Sequence, residues 1–173
     1  MAAFSLVTRV VLVLVLLPVL FVGASLAWNH PPLFDAPGWG ARLKIYFTTH
    51  IAETQENHPF PELRLRTFDV SPDLLLAFSV QAIDRLGWQL SSQQTDPYIL
   101  TAVATTRLWQ FKDDITLRVY AAPEGRSILY VKSESRIGKG DLGANLRRVI
   151  NLTEEITHQV MESKGSEKTI RSR

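Results

Sequence analysis

The sequence predicts an α+β domain, an antiparallel β-sheet with two helices packed on one face, preceded by an N-terminal transmembrane helix. Three observations carry this. Val10 to Trp28, VVLVLVLLPVLFVGASLAW, holds no charged residue. Ile115, Leu117 and Val119 alternate with Thr116, Arg118 and Tyr120, the period of two that marks a half-buried strand. From Leu142 onward, Leu146, Val149, Ile150, Thr153, Ile156 and Val160 recur at three- and four-residue steps as one apolar helical stripe.

The chain has 173 residues, a formal charge of +2 and no cysteine. That length supports one domain with a real core. The charge is too balanced for a dedicated nucleic-acid binder, and no aromatic-rich basic patch occurs. Without cysteine there is no disulfide, no Cys-ligated zinc and no thiol catalysis. Four segments are expected: an anchor or signal peptide at 1–28, a Pro-rich linker and lead-in at 29–62, the α+β domain at 63–162, and a disordered basic tail at 163–173.

The apolar run Val10–Trp28 follows Arg9 and the amino terminus as its positive flank. Nineteen residues at about 1.5 Å each nearly match a hydrocarbon core of about 30 Å. As an uncleaved anchor it spans the membrane; as a signal peptide it is cut after Ala27, where Ser25 and Ala27 are small enough. The length of the run favours the anchor, and Pro18 decides nothing, since membrane helices tolerate proline. Both readings place residues after Trp28 outside the cytoplasm, which implies a single-pass protein of the cell (inner) membrane with its C-terminal domain facing the periplasm or exterior.

Asn29 to Gly40, NHPPLFDAPGWG, reads as an extended linker. Leu43 to Phe47 is either a short strand or an interfacial segment. His50 and His58 fit no metal motif and read as solvated loop histidines; no metal site and no cofactor is expected. Leu63 to Val70 alternates and is expected to be a strand. Ser71-Pro72-Asp73 starts a helix, with Ser as cap, Pro in the first turn and an acid beside it; Leu75, Phe78, Ala82 and Leu86 form its stripe, and Gly87 ends it. Strands are expected at Trp88–Ser92 and Tyr98–Arg107. Trp109 and Phe111 sit in an apolar connector. They either fold under the sheet or, with Lys112 and Asp113, form an interface for a partner or lipid.

The next hairpin closes at Ala121–Gly125, AAPEG. The preferred register sets Ile115 and Leu117 opposite Val131 and Leu129 on the strand Ser127–Ser135, and Asp114 opposite Lys132. Asp113 and Asp114 point to opposite faces, so they form no dyad. Asp113 is expected at the core's rim, capping loop N–H groups or paired with Arg136 or Lys112.

Gly138, Gly140 and Gly143 spell G-x-G-x-x-G before a helix. The dinucleotide reading fails, because the preceding strands form an antiparallel hairpin and no second parallel strand follows. The glycines instead suit a tight loop, with Asp141 capping the helix. Arg136, Lys139, Arg147 and Arg148 surround that helix start, with Asn145 beside them, so an anion or acidic headgroup is the alternative. Asp141 opposes it. Gly165 is expected to stop the helix. Asn151-Leu152-Thr153 is a sequon, expected to be chance because it lies mid-helix.

These residues carry a family resemblance. Val70-Ser71-Pro72, Leu86-Gly87-Trp88, Phe111-Lys112-Asp113-Asp114, Ser135-Arg136-Ile137-Gly138, Asp141-Leu142-Gly143-Ala144-Asn145 and Arg147-Arg148 resemble the family catalogued as domain of unknown function 1499, over roughly Leu63 to Ile156. Many members open with an Asn-Cys-Val type segment, and this chain has no cysteine, so no role tied to that residue transfers. The resemblance implies the fold boundaries and leaves activity open. The order β-α-β-β-β-β-α also resembles a reduced helix-grip arrangement, which often leaves a groove between sheet and helix.

Three functions are compatible with these features. The first is a membrane-anchored, extracytoplasmic, non-catalytic binding domain for an apolar or lipid-like ligand or a polypeptide. The second is an accessory subunit of an envelope protein complex. The third, a hydrolase using Asp113, Asp141 or His58, has the weakest support, since no triad, metal motif or spaced carboxylate pair accompanies them.

Overall fold

A computed structural model describes residues 2–106 and 110–171. The architecture is α+β, as expected, with four α-helices and one antiparallel sheet among the described residues. Helix α1 spans Ala2–Asn29 and α2 spans Trp39–Thr48; the short strands β1 (Ile51–Glu53) and β2 (Arg66–Phe68) follow. Then come helix α3 (Pro72–Arg85), strands β3 (Gln89–Thr95), β4 (Tyr98–Thr105), β5 (Lys112–Ala122) and β6 (Arg126–Ser135), and helix α4 (Ala144–Arg171). The sheet order is β1-β6-β5-β4-β3, with β2 also pairing with β6 farther along its free edge.

The inner face of the sheet follows the sequence alternation. Ile115, Leu117 and Val119 of β5 and Leu129 and Val131 of β6 are buried. Helix α4 covers them with Leu146, Val149, Leu152 and Ile156, and α3 adds Leu75, Leu76, Ala82 and Ile83. Each fully buried branched side chain contributes about 1.5–3 kcal/mol, so this one cluster dominates the stability. Strand β3, QLSSQQT, is exposed throughout, as suits an edge strand that must not recruit another chain. At the start of α3 the Ser71 hydroxyl accepts from Leu74 N–H at 3.4 Å, and Gly87 leaves the helix at φ 69°.

Several expectations need correction. The hairpin register is displaced by two residues: Leu117 faces Val131, Ile115 faces Ser133, and Asp114 faces Glu134 rather than Lys132. The loop sets this. Ala122 pairs with Arg126, and the three residues between them turn through Glu124 at φ 63° and Gly125 at φ 71°. The like-charged pair is tolerated because Arg136 holds Asp114 and Lys132 holds Glu134. Leu43–Phe47 is helical, not extended, and lies within α2. The strand expected over Leu63–Val70 is shortened to β2, because Pro61–Leu63 forms a 3₁₀ turn. Gly165 does not stop α4, whose backbone stays helical to Arg171.

The lead-in is also no free linker. Tyr46, Ala52 and Phe60 belong to the core, and Leu33 packs against it. Arg42, fully buried, organises this segment. Its guanidinium bonds Glu62 at 2.6 and 3.1 Å, the Tyr46 hydroxyl at 3.3 Å and the carbonyls of Asp35 and Ala36, while lying 4.2 Å from the centre of the Phe60 ring. Burial alone would lower its pKa, but the bonds to Glu62 and Tyr46 outweigh that and raise it.

Helix α1 is the one described helix long and apolar enough to cross a membrane, over Leu6–Asn29; a signal sequence near an N-terminus passes the same test. Most of it is bare. Its last two turns are not: Val22, Ser25, Leu26 and Asn29, spaced as one helical face, are half-buried, and Leu26 packs on the core.

Candidate functional site

The loop from Arg136 to Asn145 joins β6 to α4 and holds most of the charged residues singled out above. Arg136 leaves the end of β6 and clamps Asp114 on β5, with Nε 2.9 Å from Oδ2 and Nη2 2.6 Å from Oδ1. The bond holds the Asp114 carboxyl below its ordinary range. Ile137 and Lys139 extend into solvent. Gly138 turns at φ 102°. Gly140 needs no positive φ; it is there for close approach. A Cβ at that position would fall on the Phe47 carbonyl, 2.6 Å from its carbon and 2.9 Å from the Tyr46 oxygen.

Asp141 then caps the turn. Its Oδ1 accepts from Gly143 N–H at 2.9 Å and its Oδ2 from Asn145 N–H at 2.8 Å. These are amides an anion at this helix start would take. Asn145 is fully buried. Its Oδ1 accepts from the Ser133 hydroxyl at 2.5 Å, and its Nδ2 donates to the His50 carbonyl and to Ser135 Oγ, both at 2.8 Å. Arg147 Nε donates to the Asn29 carbonyl at 2.9 Å, and Asn29 Nδ2 returns a bond to Leu142 O at 3.1 Å. Arg148 pairs with Asp113 under the sheet. Burial pushes the Arg148 guanidinium below its ordinary value, and Asp113 resists that. Asp113 is therefore neither a loop cap nor a partner of Arg136 or Lys112, as the sequence suggested. It is 2 % exposed, because β5 turns it inward beside Ile115.

The six residues Arg136, Lys139, Asp141, Asn145, Arg147 and Arg148 thus share one neighbourhood, but five of them are engaged with protein groups. Of the expected interface, Trp109 lies outside the described residues, Phe111 is 52 % exposed at the start of β5, Lys112 is exposed and Asp113 is turned inward.

Next to the loop lies a half-enclosed recess of about 410 Å³ between α2, β1 and the segment 55–63. Its apolar lining comes from Ile45, Tyr46, Ile51, Ala52, Phe60, Leu63 and Leu146, and its polar groups from Thr49, Glu53, Gln55, His58 and Asp141. Glu53 accepts from the Tyr130 hydroxyl at 3.0 Å; burial and then that bond push the Tyr130 pKa up to about 12. His58 Nδ1 accepts from Phe60 N–H at 3.0 Å, so the proton of the neutral ring sits on Nε2. A second depression, beside Asn151, Glu154, Glu155 and His158 on α4, is wide open and polar-lined. Sequence reasoning missed the recess because it depends on α2 and β1, which look like linker. The one available signal was Arg42 with Tyr46 at i, i+4, a pairing on a single helix face.

A family model described as protein of unknown function (DUF1499) matches residues 46–156. The chain belongs to the DUF1499 family. The DUF1499 match begins at Tyr46, so it takes in β1 and most of the recess lining as well as the loop. No curated protein matches the chain.

Proposed function

We propose that this DUF1499 protein is a membrane-anchored, extracytoplasmic, non-catalytic binding domain whose recess takes an apolar or lipid-like ligand. The observation that carries the reading is the recess itself. A volume of about 410 Å³ suits a small ligand or one chain of an amphiphile, and mostly apolar walls with a few polar groups are the usual composition of such sites. All but Lys139 of the charged residues at the adjacent loop are spent on holding the fold, and the depression on α4 is wide open with polar residues around it, so the recess is the more enclosed and more apolar surface of the two. The anchor reading draws support from α1. Its end packs on the core through Leu26, with Val22 and Ser25 half-buried on the same helix face, and removal at Ala27 would take away Leu26's contact with the core.

The test is native mass spectrometry of the full chain released gently from its own membranes, beside Ile51→Trp and Gln55→Trp, which fill the recess. A small molecule or lipid carried by the wild type and missing from both variants supports the proposal, and its mass gives the ligand class. An empty wild type, or a ligand retained equally by both variants, overturns it.

A further inference from the structure

We propose that the pole of the domain around the end of α1 is seated in the headgroup zone of the bilayer that α1 spans, so that the domain lies on lipid in a fixed orientation; this rests on the anchor reading above. Five exposed apolar side chains mark the pole: Trp28, Phe34, Trp39, Phe47 and Ile137, at 81, 84, 61, 49 and 76 % exposure. Among the described residues beyond 27, five large hydrophobic side chains exceed 60 % exposure, and four of them are in this set; Met161 is the fifth.

Contacts already described bring these residues to one end of the molecule. Asn29 at the end of α1 is bonded to Leu142 and Arg147. Leu142 N–H donates to Tyr46 O at 3.0 Å, and Gly140 lies against the Phe47 carbonyl. The end of α1, the end of α2 and the tip of the Ile137–Gly140 loop are therefore neighbours. Trp39 and Phe47 flank Leu43 on one stripe of α2, next to the stripe that buries Arg42 and Tyr46. Tryptophan and phenylalanine exposed beside an apolar helix are what the membrane–water interface favours. The charge balance agrees. Arg42 is held by Glu62 and Arg136 by Asp114, which leaves Lys44 and Lys139 against a single carboxylate, Asp35, in segments 28–50 and 136–140.

Depth gives an independent argument. Arg9 is the last charge before the apolar run, so the hydrocarbon begins near Val10. A core of about 30 Å then takes about 20 residues and ends near Asn29. Yet the core already packs on α1 at Leu26, and the half-burial of that helix face begins at Val22. Three to seven residues before Asn29 is about 5–10 Å deeper along an upright helix. A domain held clear of the lipid is incompatible with that contact; one whose pole enters the headgroup and acyl boundary by about 5–10 Å satisfies it.

The absence of cysteine makes the test direct, because any introduced thiol is unique. Phe47→Cys, Ile137→Cys, Leu14→Cys and Tyr120→Cys are spin-labelled in the full chain, in vesicles of phosphatidylcholine and phosphatidylglycerol. Oxygen and a water-soluble nickel chelate report depth by relaxation. Tyr120 is the water control, because it pairs with Ile128 near the hairpin tip, far along β6 from Ser135. Labels at 47 and 137 open to oxygen and closed to nickel, with 120 open to nickel, are the expected result. A label at 14 deep in lipid while 47 and 137 match 120 keeps the anchor and overturns the seated pole. Labels at 47 and 137 closed to both reagents mean protein covers the pole, which also overturns it. A chain recovered with Trp28 as its first residue removes the anchor reading and, with it, this proposal.

Discussion

Asn145 Nδ2 donates to the main-chain oxygen of His50 at 2.8 Å, joining the first turn of α4 to the residue that leads into β1. The same side chain bonds Ser133 and Ser135 on β6. One buried amide therefore closes three segments around the end of the sheet. Asn145→Ala leaves the His50 carbonyl and two hydroxyls short of a partner and should cost about 1–3 kcal/mol. Asn145→Asp should cost at least as much, because a carboxylate then faces that carbonyl with no donor. Urea unfolding of both variants measures this. A midpoint unchanged by Asn145→Ala would show that the amide is not a structural lock.

Asp113 and Arg148 carry the next prediction. The pair is buried between β5 and α4, with side chains 4 and 13 % exposed. Removing one partner strands a charge under the sheet, and such losses run to about 3–5 kcal/mol. Asp113→Asn should therefore be among the most damaging single changes in the domain. The double variant Asp113→Leu with Arg148→Met removes both charges and keeps similar volume, so it should recover most of that loss. Equal damage in the single and double variants would mean that packing, not charge, sets the cost.

The difference between Asp113 and Asp114 shows what the sequence can say. Alternation told correctly that they face opposite sides and form no dyad. It could not say that Arg148, thirty-odd residues on, would reach Asp113 while Arg136 took Asp114, because partners across a sheet depend on register. Register in turn hung on how three loop residues turn, and two of them, Glu124 and Gly125, adopt positive φ. The α3 cap at Ser71 and the Asp141 cap were legible because capping is local. The recess was not. Its walls include α2 and β1, whose short sequences carry too few residues for a clear periodicity, and their order comes from tertiary partners such as Arg42 with Glu62.

His58 at the recess gives the pH prediction. Burial pushes its pKa below 6.5, although the carboxylates of Glu62 and Glu53 pull the other way. Its Nδ1 also accepts from Phe60 N–H, a bond only the neutral ring can accept. A folded-state pKa below the unfolded value means the unfolded chain binds the proton more readily. Stability from this group is thus complete above about pH 6.5 and falls as pH drops through that value toward the folded pKa. Proton NMR titration of the ring should give a midpoint under 6.5. His58→Gln should flatten the acid side of the stability profile; an ordinary midpoint would sink the prediction.

Two glycines outside ordinary turns make opposite predictions, and together they test the loop against the helix. Gly140 is required by proximity, since a methyl group there meets the carbonyls of Phe47 and Tyr46, which are backbone atoms at the end of α2 and cannot rotate aside. Gly140→Ala must push the loop off α2. The shift would also strain the Leu142 N–H bond to Tyr46 O, and it should cost about 1–3 kcal/mol, in the range of overpacking elsewhere. Gly165 has nothing within 4 Å of its would-be Cβ and lies inside α4. Gly165→Ala should stabilise the helix by up to about 1 kcal/mol, because alanine loses less backbone freedom on folding. Thermal unfolding by circular dichroism separates the two. A loss of stability in Gly165→Ala would mean that the helix does break at that residue, as its sequence alone suggests.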